Sequence, residues 1–100
     1  MGIKNILALE KENQQIILHK EGLFIKVYER SAYLFTKNIK EYKLTKKFYK
    51  NVKQEVVYLG FPQNSFSKIE RICKEQGFQL NKEKEKQIGI IGIESFVKNE

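Results

Sequence analysis

Phe24, Lys26 and Tyr28 stand two residues apart in the run Leu23–Tyr28, LFIKVY. Side chains alternate along a strand, so these three share one face and Leu23, Ile25 and Val27 the other. An aromatic–cation–aromatic strip suits flat, anionic ligands, because rings stack on bases while a lysine meets the phosphate chain. Gly22, just ahead, lets a ligand come close to the backbone. The competing reading is structural: a sheet covered on both sides would bury Phe24 and Tyr28 beneath a helix. Leu23, Ile25 and Val27 read as ordinary core.

Charge is the second functional signal. The formal net charge is +7, and lysines at 37, 40, 43, 46, 47, 50 and 53 face one carboxylate, Glu41. Seven minus one gives +6 within this single segment. Such a field attracts nucleic acid or other polyanions. Lysines also guard exposed strands against unwanted pairing, which is the alternative. Seventeen lysines against two arginines argue against sequence-specific base reading, which favours forked guanidiniums.

Little else in the chain is built for reaction chemistry. One cysteine, Cys73, excludes an internal disulfide, and one histidine, His19, leaves no metal cluster. Cys73 lies on the apolar stripe of a predicted helix and reads as a buried, inert thiol. His19 reads as a surface or edge residue at a strand end. All twelve carboxylates are glutamates set singly among lysines, and no nucleophile–base spacing is visible. No catalytic residue, metal or cofactor is expected.

One hundred residues, 41% hydrophobic and 31% charged, describe one globular domain large enough for a single core. No apolar run approaches the roughly 18–20 residues of a membrane span. The first residues lack the basic-then-apolar pattern of a signal peptide, and Ile6 stands where myristoylation needs a hydroxyl. A cytoplasmic location is the expectation.

Several elements must position the strip. Residues Met1 to Asn13 are the least readable, fitting a helical turn or a short strand. Gln14 to Lys20 alternates as a strand, turns at Glu21-Gly22 and pairs with Leu23–Tyr28 as a hairpin. Ser31 is placed to cap a helix from Ala32 to about Ile39. Glu41 to Phe48 reads as a half-buried strand with a basic face, and Gln54 to Phe61 as a denser strand near the sheet centre. Gly60-Phe61-Pro62 breaks that strand, and Asn64 or Ser65 opens a helix with Phe66, Ile69, Ile72 and Cys73 on one stripe. Gly77 ends it in a left-handed conformation, with Phe78 as a hydrophobic clasp. Phe78 to Leu80 is a short strand, Asn81 to Lys86 a charged turn, and Gln87 to Val97 a last strand. Gly89 and Gly92 in that strand mark a bulge or close packing, and its edge could pair with a second copy. The expected class is α+β, a mixed sheet of about five or six strands with two principal helices.

Two of these segments together carry a resemblance. Gly22-Leu23-Phe24-Ile25-Lys26-Val27-Tyr28 before a helix is similar to the glycine–acidic–Phe–Tyr–Glu–apolar–Phe segment of the N-terminal domain of MutS, the bacterial mismatch-repair sensor. Val57-Tyr58-Leu59-Gly60-Phe61-Pro62, followed by a helix closing on Gly77-Phe78, resembles that domain's apolar–Gly–Val–Pro segment and its next helix. The match spans roughly residues 16–80 and implies the domain I fold. In that family a Phe wedges into the base stack at a mispair, and a Glu two residues later hydrogen-bonds the displaced base. Phe24 matches the Phe. Lys26 stands in place of the Glu, Leu23 in place of the acidic residue and Asn64 where the family usually has His. Lysine has no acceptor for that bond but suits a phosphate, so nucleic-acid contact is implied without mispair discrimination.

The expected function is therefore non-catalytic binding of DNA, duplex or single-stranded, or of RNA. Phe24 is the stacking residue, Lys26 a phosphate contact and Tyr28 its support. Lys43, Lys46, Lys47, Lys50 and Lys53 are electrostatic anchors. The alternative is a protein-interaction module that keeps the fold and has lost the DNA role. No Gly-x-x-x-x-Gly-Lys-Ser/Thr loop occurs, so no nucleotide is expected, and no membrane.

Overall fold

The computed structural model describes residues 2–12 and 15–91. The chain opens with a helix, α1 (Ile3–Glu12), which turns Ile3, Ile6 and Glu10 inward at helical spacing. Strands β1 (Ile16–Glu21) and β2 (Phe24–Tyr28) form the expected hairpin. Gly22 makes its turn at φ +63°, which costs glycine nothing. Helix α2 (Glu29–Asn38) follows, then β3 (Thr45–Tyr49) and β4 (Gln54–Pro62). A short 3₁₀ turn, Gln63–Ser65, leads into α3 (Phe66–Glu75), and β5 (Gln79–Lys84) and β6 (Gln87–Ile91) complete the described chain.

The class is α+β, one six-stranded sheet ordered β3-β4-β2-β1-β6-β5 with three helices. All five neighbouring pairs run antiparallel. Three hairpins (β1–β2, β3–β4 and β5–β6) are joined by two helices. Each helix links strands that run the same way but do not touch: α2 carries β2 to β3 past β4, and α3 carries β4 to β5. A half-turn about the sheet normal gives the two crossovers the same sense, although α2 passes one strand and α3 three, so equal handedness puts both helices on one face. Ala32, Leu34 and Phe35 of α2 indeed share one core with Ile69 and Cys73 of α3. That core rests on Ile16, Leu18, Ile25, Val27, Leu59, Phe61, Ile88 and Ile90 of the sheet. Phe35 stacks on Phe61 at 5.7 Å within it.

Among the described residues, the opposite face carries only α1. Ile3 and Ile6 pack there on Tyr28 and Val56, with Leu7, Tyr49, Val52 and Tyr58 partly buried around them. This cover extends over one end of the sheet, and among the described residues nothing covers the Phe24 end.

Four expectations need correction. Ser31 lies inside α2 and does not cap it through its own side chain. The cap comes from another helix: Glu10 Oε1 accepts the Ser31 N–H at 2.7 Å, and Oε2 accepts the Ser31 hydroxyl at 2.8 Å. Ser31 Oγ in turn accepts the Ile17 N–H at 3.0 Å. Second, residues 41–44 are not strand, although Tyr42 and Leu44 still pack on the core. Third, Asn81 to Lys84 extends β5, so the charged turn is confined to residues 85 and 86. Fourth, β6 is an interior strand, paired with β1 and β5, and the edges are β3 and β5. Gly89 is a close approach, since a Cβ there would collide with the Gln15 side-chain oxygen. Gly92 and the stretch to Val97 lie outside the described residues.

Candidate nucleic-acid interface

Glu21 pairs directly with Phe24, which leaves Gly22 and Leu23 as a two-residue loop. Glycine at the first loop position matches the twist of the flanking strands. Leu23 is therefore a loop-tip residue, 83% exposed, and not the core residue that alternation implied. Phe24 is 52% exposed on the half-open face. Gln63 holds this tip from behind. Its backbone N–H donates to Leu23 O at 2.9 Å, and its side-chain amide donates to Gly22 O at 2.6 Å. Two adjacent apolar side chains thus project from a backbone tied to the end of β4.

Lys26 comes next on the same face, opposite Gly60. Its Nζ lies 3.7 Å from Glu21 Oε1 and 5.1 Å from the centre of the Tyr58 ring. The ammonium is thus held over an aromatic face beside a carboxylate, both partly exposed. A phosphate reaching Lys26 competes with Glu21, an exchange of one ion pair for another.

Tyr28 does not belong to this surface. It is buried under α1, and its hydroxyl donates to Glu21 Oε2 at 2.5 Å. Burial, then the Glu21 hydrogen bond and charge, push its phenol well above the ordinary range. Strand alternation put Tyr28 on the right face; the helix that covers it was the unreadable one. His19, expected at the surface, is 4% exposed and meets Tyr28 edge-on at 5.6 Å. Burial lowers its pKa, partly offset by Glu21, so the imidazole is neutral at pH 7.

The lysine cluster divides. Lys47 and Lys46 are exposed neighbours on β3, opposite Val56 and Val57 respectively. Lys47 shares the α1 face and lies 5.2 Å over the Tyr49 ring. Lys46 points to the α2 face and is no part of a surface containing Phe24. Lys50 and Lys53 are exposed in the β3–β4 turn, and Lys43 is exposed in the connection before β3. Phe24 pairs with Pro62 and the turn precedes Gln54, so ring and turn stand at opposite ends of β4, about 27 Å apart. Helix α1 sits between them. The sequence placed a ring and its lysines in one patch; the fold makes them two stations along one strand.

In comparisons with family models, curated proteins and solved structures, nothing matches this chain.

Cys73 is buried on its stripe as expected, and burial pushes its thiol up to about 11. It is a protonated core residue at neutral pH. The tip's best-placed partner, Gln63, left one readable trace in the sequence, its position just after Pro62, where a strand ends and a polar residue meets the neighbouring hairpin.

Proposed function

We propose that this protein binds nucleic acid without catalysing a reaction, using the Leu23–Phe24 tip as its stacking or wedging element. The observation that carries this reading is the Phe24 ring, half exposed on a tied-down turn. A rigid apolar wedge loses little entropy on insertion between bases, and unstacking is offset by the contacts that a kinked strand then makes. Lys26 stands beside it for a phosphate. Lys47 on β3 and Lys50 and Lys53 in the β3–β4 turn stand toward the other end of β4, beyond α1. Roughly eight base pairs cover that separation at about 3.4 Å per pair, along a path kinked around that helix. With Lys26 where the MutS segment carries a glutamate, the proposed binding does not distinguish mispairs.

Fluorescence anisotropy on duplex, mispaired duplex, single-stranded DNA and RNA at several salt concentrations tests this. Four phosphate contacts give a log–log salt slope of about −3.6 on duplex. Phe24→Ala weakens binding by about 1–3 kcal/mol if the ring stacks on a base, with the fold intact. Absence of binding at low salt rejects the reading.

The exposure of Leu23 supports a second reading, a protein-interaction module. An aliphatic side chain at 83% exposure beside an aromatic one is the kind of anchor that fills a protein pocket. That role predicts no salt-dependent nucleic-acid binding, and loss of a protein partner when Leu23 becomes polar.

A further inference from the structure

The four large apolar side chains exposed among the described residues fall into two pairs. Leu23 and Phe24 form the tip. Tyr33, 52% exposed, and Phe48, 58% exposed, belong to a different place on the other face of the sheet. There, among the described residues, α2 packs mainly over β1, β2 and β4, and β3 is the edge strand beyond them. A groove of about 790 Å³ opens beside α2, over β3 and the first half of β4. Its floor is apolar, built from Leu34 of α2 and Val57 of β4, both nearly buried. Tyr33 forms one wall, and Lys46 of β3 lines the opposite side. Phe48 follows Lys46 by two residues on the same strand face, so its exposed ring continues the apolar surface.

We infer that this groove is a docking site for an acidic, amphipathic helix of a protein partner. Shape argues for a helix. The gap lies in the helix layer next to α2, and neighbouring helices pack about 8–10 Å apart. Its volume is of the order of two helical turns at a diameter of about 10 Å. Charge argues for acidity. Arg30, Lys37 and Lys46 line the groove against Glu29 and Glu55, and Glu29 Oε2 already accepts the Val57 N–H at 2.8 Å. Lys37 and Lys46 themselves belong to the lysine-rich segment from Lys37 to Lys53, whose Lys47 lies on the other face. The same details favour protein over nucleic acid. An apolar floor gains from burying aliphatic and aromatic side chains, which an amphipathic helix presents and a phosphate chain does not. Helix-in-groove recognition of this kind presents apolar anchors at i, i+3 or i+4, and i+7.

The site is independent of the tip, so either can stand without the other. A displayed library of helix-forming peptides of unrestricted charge, selected on the full chain, supplies the probes. The selected peptides are then synthesised and titrated into ¹⁵N-labelled protein. The expected winners are net negative with apolar residues at helical spacing, and they shift the amides of Tyr33, Lys37, Lys46, Phe48 and Val57. Lys37→Glu with Lys46→Glu weakens them at least tenfold and restores binding to the charge-reversed peptides. Tyr33→Ala and Phe48→Ala, both at exposed positions, weaken them several-fold with unchanged thermal unfolding. The inference is overturned by winners without net negative charge, by shifts centred on Leu23 and Phe24, or by no peptide binding below about 1 mM. It is equally overturned if duplex DNA shifts the groove amides and the double lysine variant abolishes DNA binding.

Discussion

The two faces of the sheet are held in different ways. Beneath α2 and α3, aliphatic and aromatic side chains fill one continuous core, in which Phe35, Phe61 and Tyr42 stack within 6 Å of one another. Beneath α1 the contacts are fewer and more polar: tyrosines, a buried histidine, and the Glu10–Ser31–Ile17 chain of hydrogen bonds. Apolar burial is non-directional and scales with area, so the first face supplies most of the stability. The second face is held by directional contacts at one end, and among the described residues nothing covers Phe24 and Lys26 at the other. A face that need not carry the fold can carry a binding surface.

The largest expected effect breaks the first face. Phe35→Ala removes a fully buried ring that stacks on Phe61 and leaves a cavity, at a cost of about 3–5 kcal/mol. Urea unfolding should show a much lower midpoint with an unchanged slope, because the whole domain still unfolds as one unit. A loss confined to α1 would show that the two faces contribute in the reverse order.

The second prediction turns to the α1 face. Glu10→Ala leaves the Ser31 amide and hydroxyl without their acceptors, costing about 1–3 kcal/mol. Hydrogen exchange should speed up in α1 and the start of α2 before it does in β1, β2 or β6. The pH dependence has a definite sign. Burial raises the Glu10 pKa above 4.5, with the Ser31 hydrogen bonds opposing that rise. The folded state therefore holds this proton more tightly than the unfolded one. Its contribution to stability falls as pH rises from about 4.5 through the raised folded value, and is flat beyond it. Glu10→Gln removes that descent, and a variant that keeps it assigns the slope to another group.

The same division explains what could be read from the sequence. Elements of the covered face were legible because periodicity and punctuation agree there. The Phe66, Ile69, Ile72 and Cys73 stripe ends at Gly77, whose φ is +80°, and Phe78 N–H closes on Cys73 O at 2.8 Å. The dense run is an interior strand, although it lies next to the β3 edge and continues through Pro62, and Gly22 turns the first hairpin. The α1 face was not legible. Ile3, Ile6 and Leu7 give too short a pattern to separate helix from strand, and without that helix His19 and Tyr28 looked solvent-facing. Ser31 resembled a local cap because its true partner, Glu10, is 21 residues away. The candidate site was half legible: alternation found Phe24 and Lys26, while the division of Lys46 from Lys47 depends on strand register. Leu23 was misread because a two-residue loop moves it out of the strand.

The smallest expected effect is at Leu23, and it sharpens the contrast between the residues that hold the fold and those that leave it. Burial contributes about 25 cal/mol per Å², and a side chain 83% exposed has little area to lose. Leu23→Ser should change stability by no more than about 0.5 kcal/mol, measured as the urea midpoint. The turn is fixed by backbone and Gln63 contacts that the substitution does not touch. If stability holds while nucleic-acid binding weakens, the tip acts at the interface. A fall in stability comparable to that of Glu10→Ala would mean that Leu23 packs against the domain, and the tip would no longer be a free apolar surface.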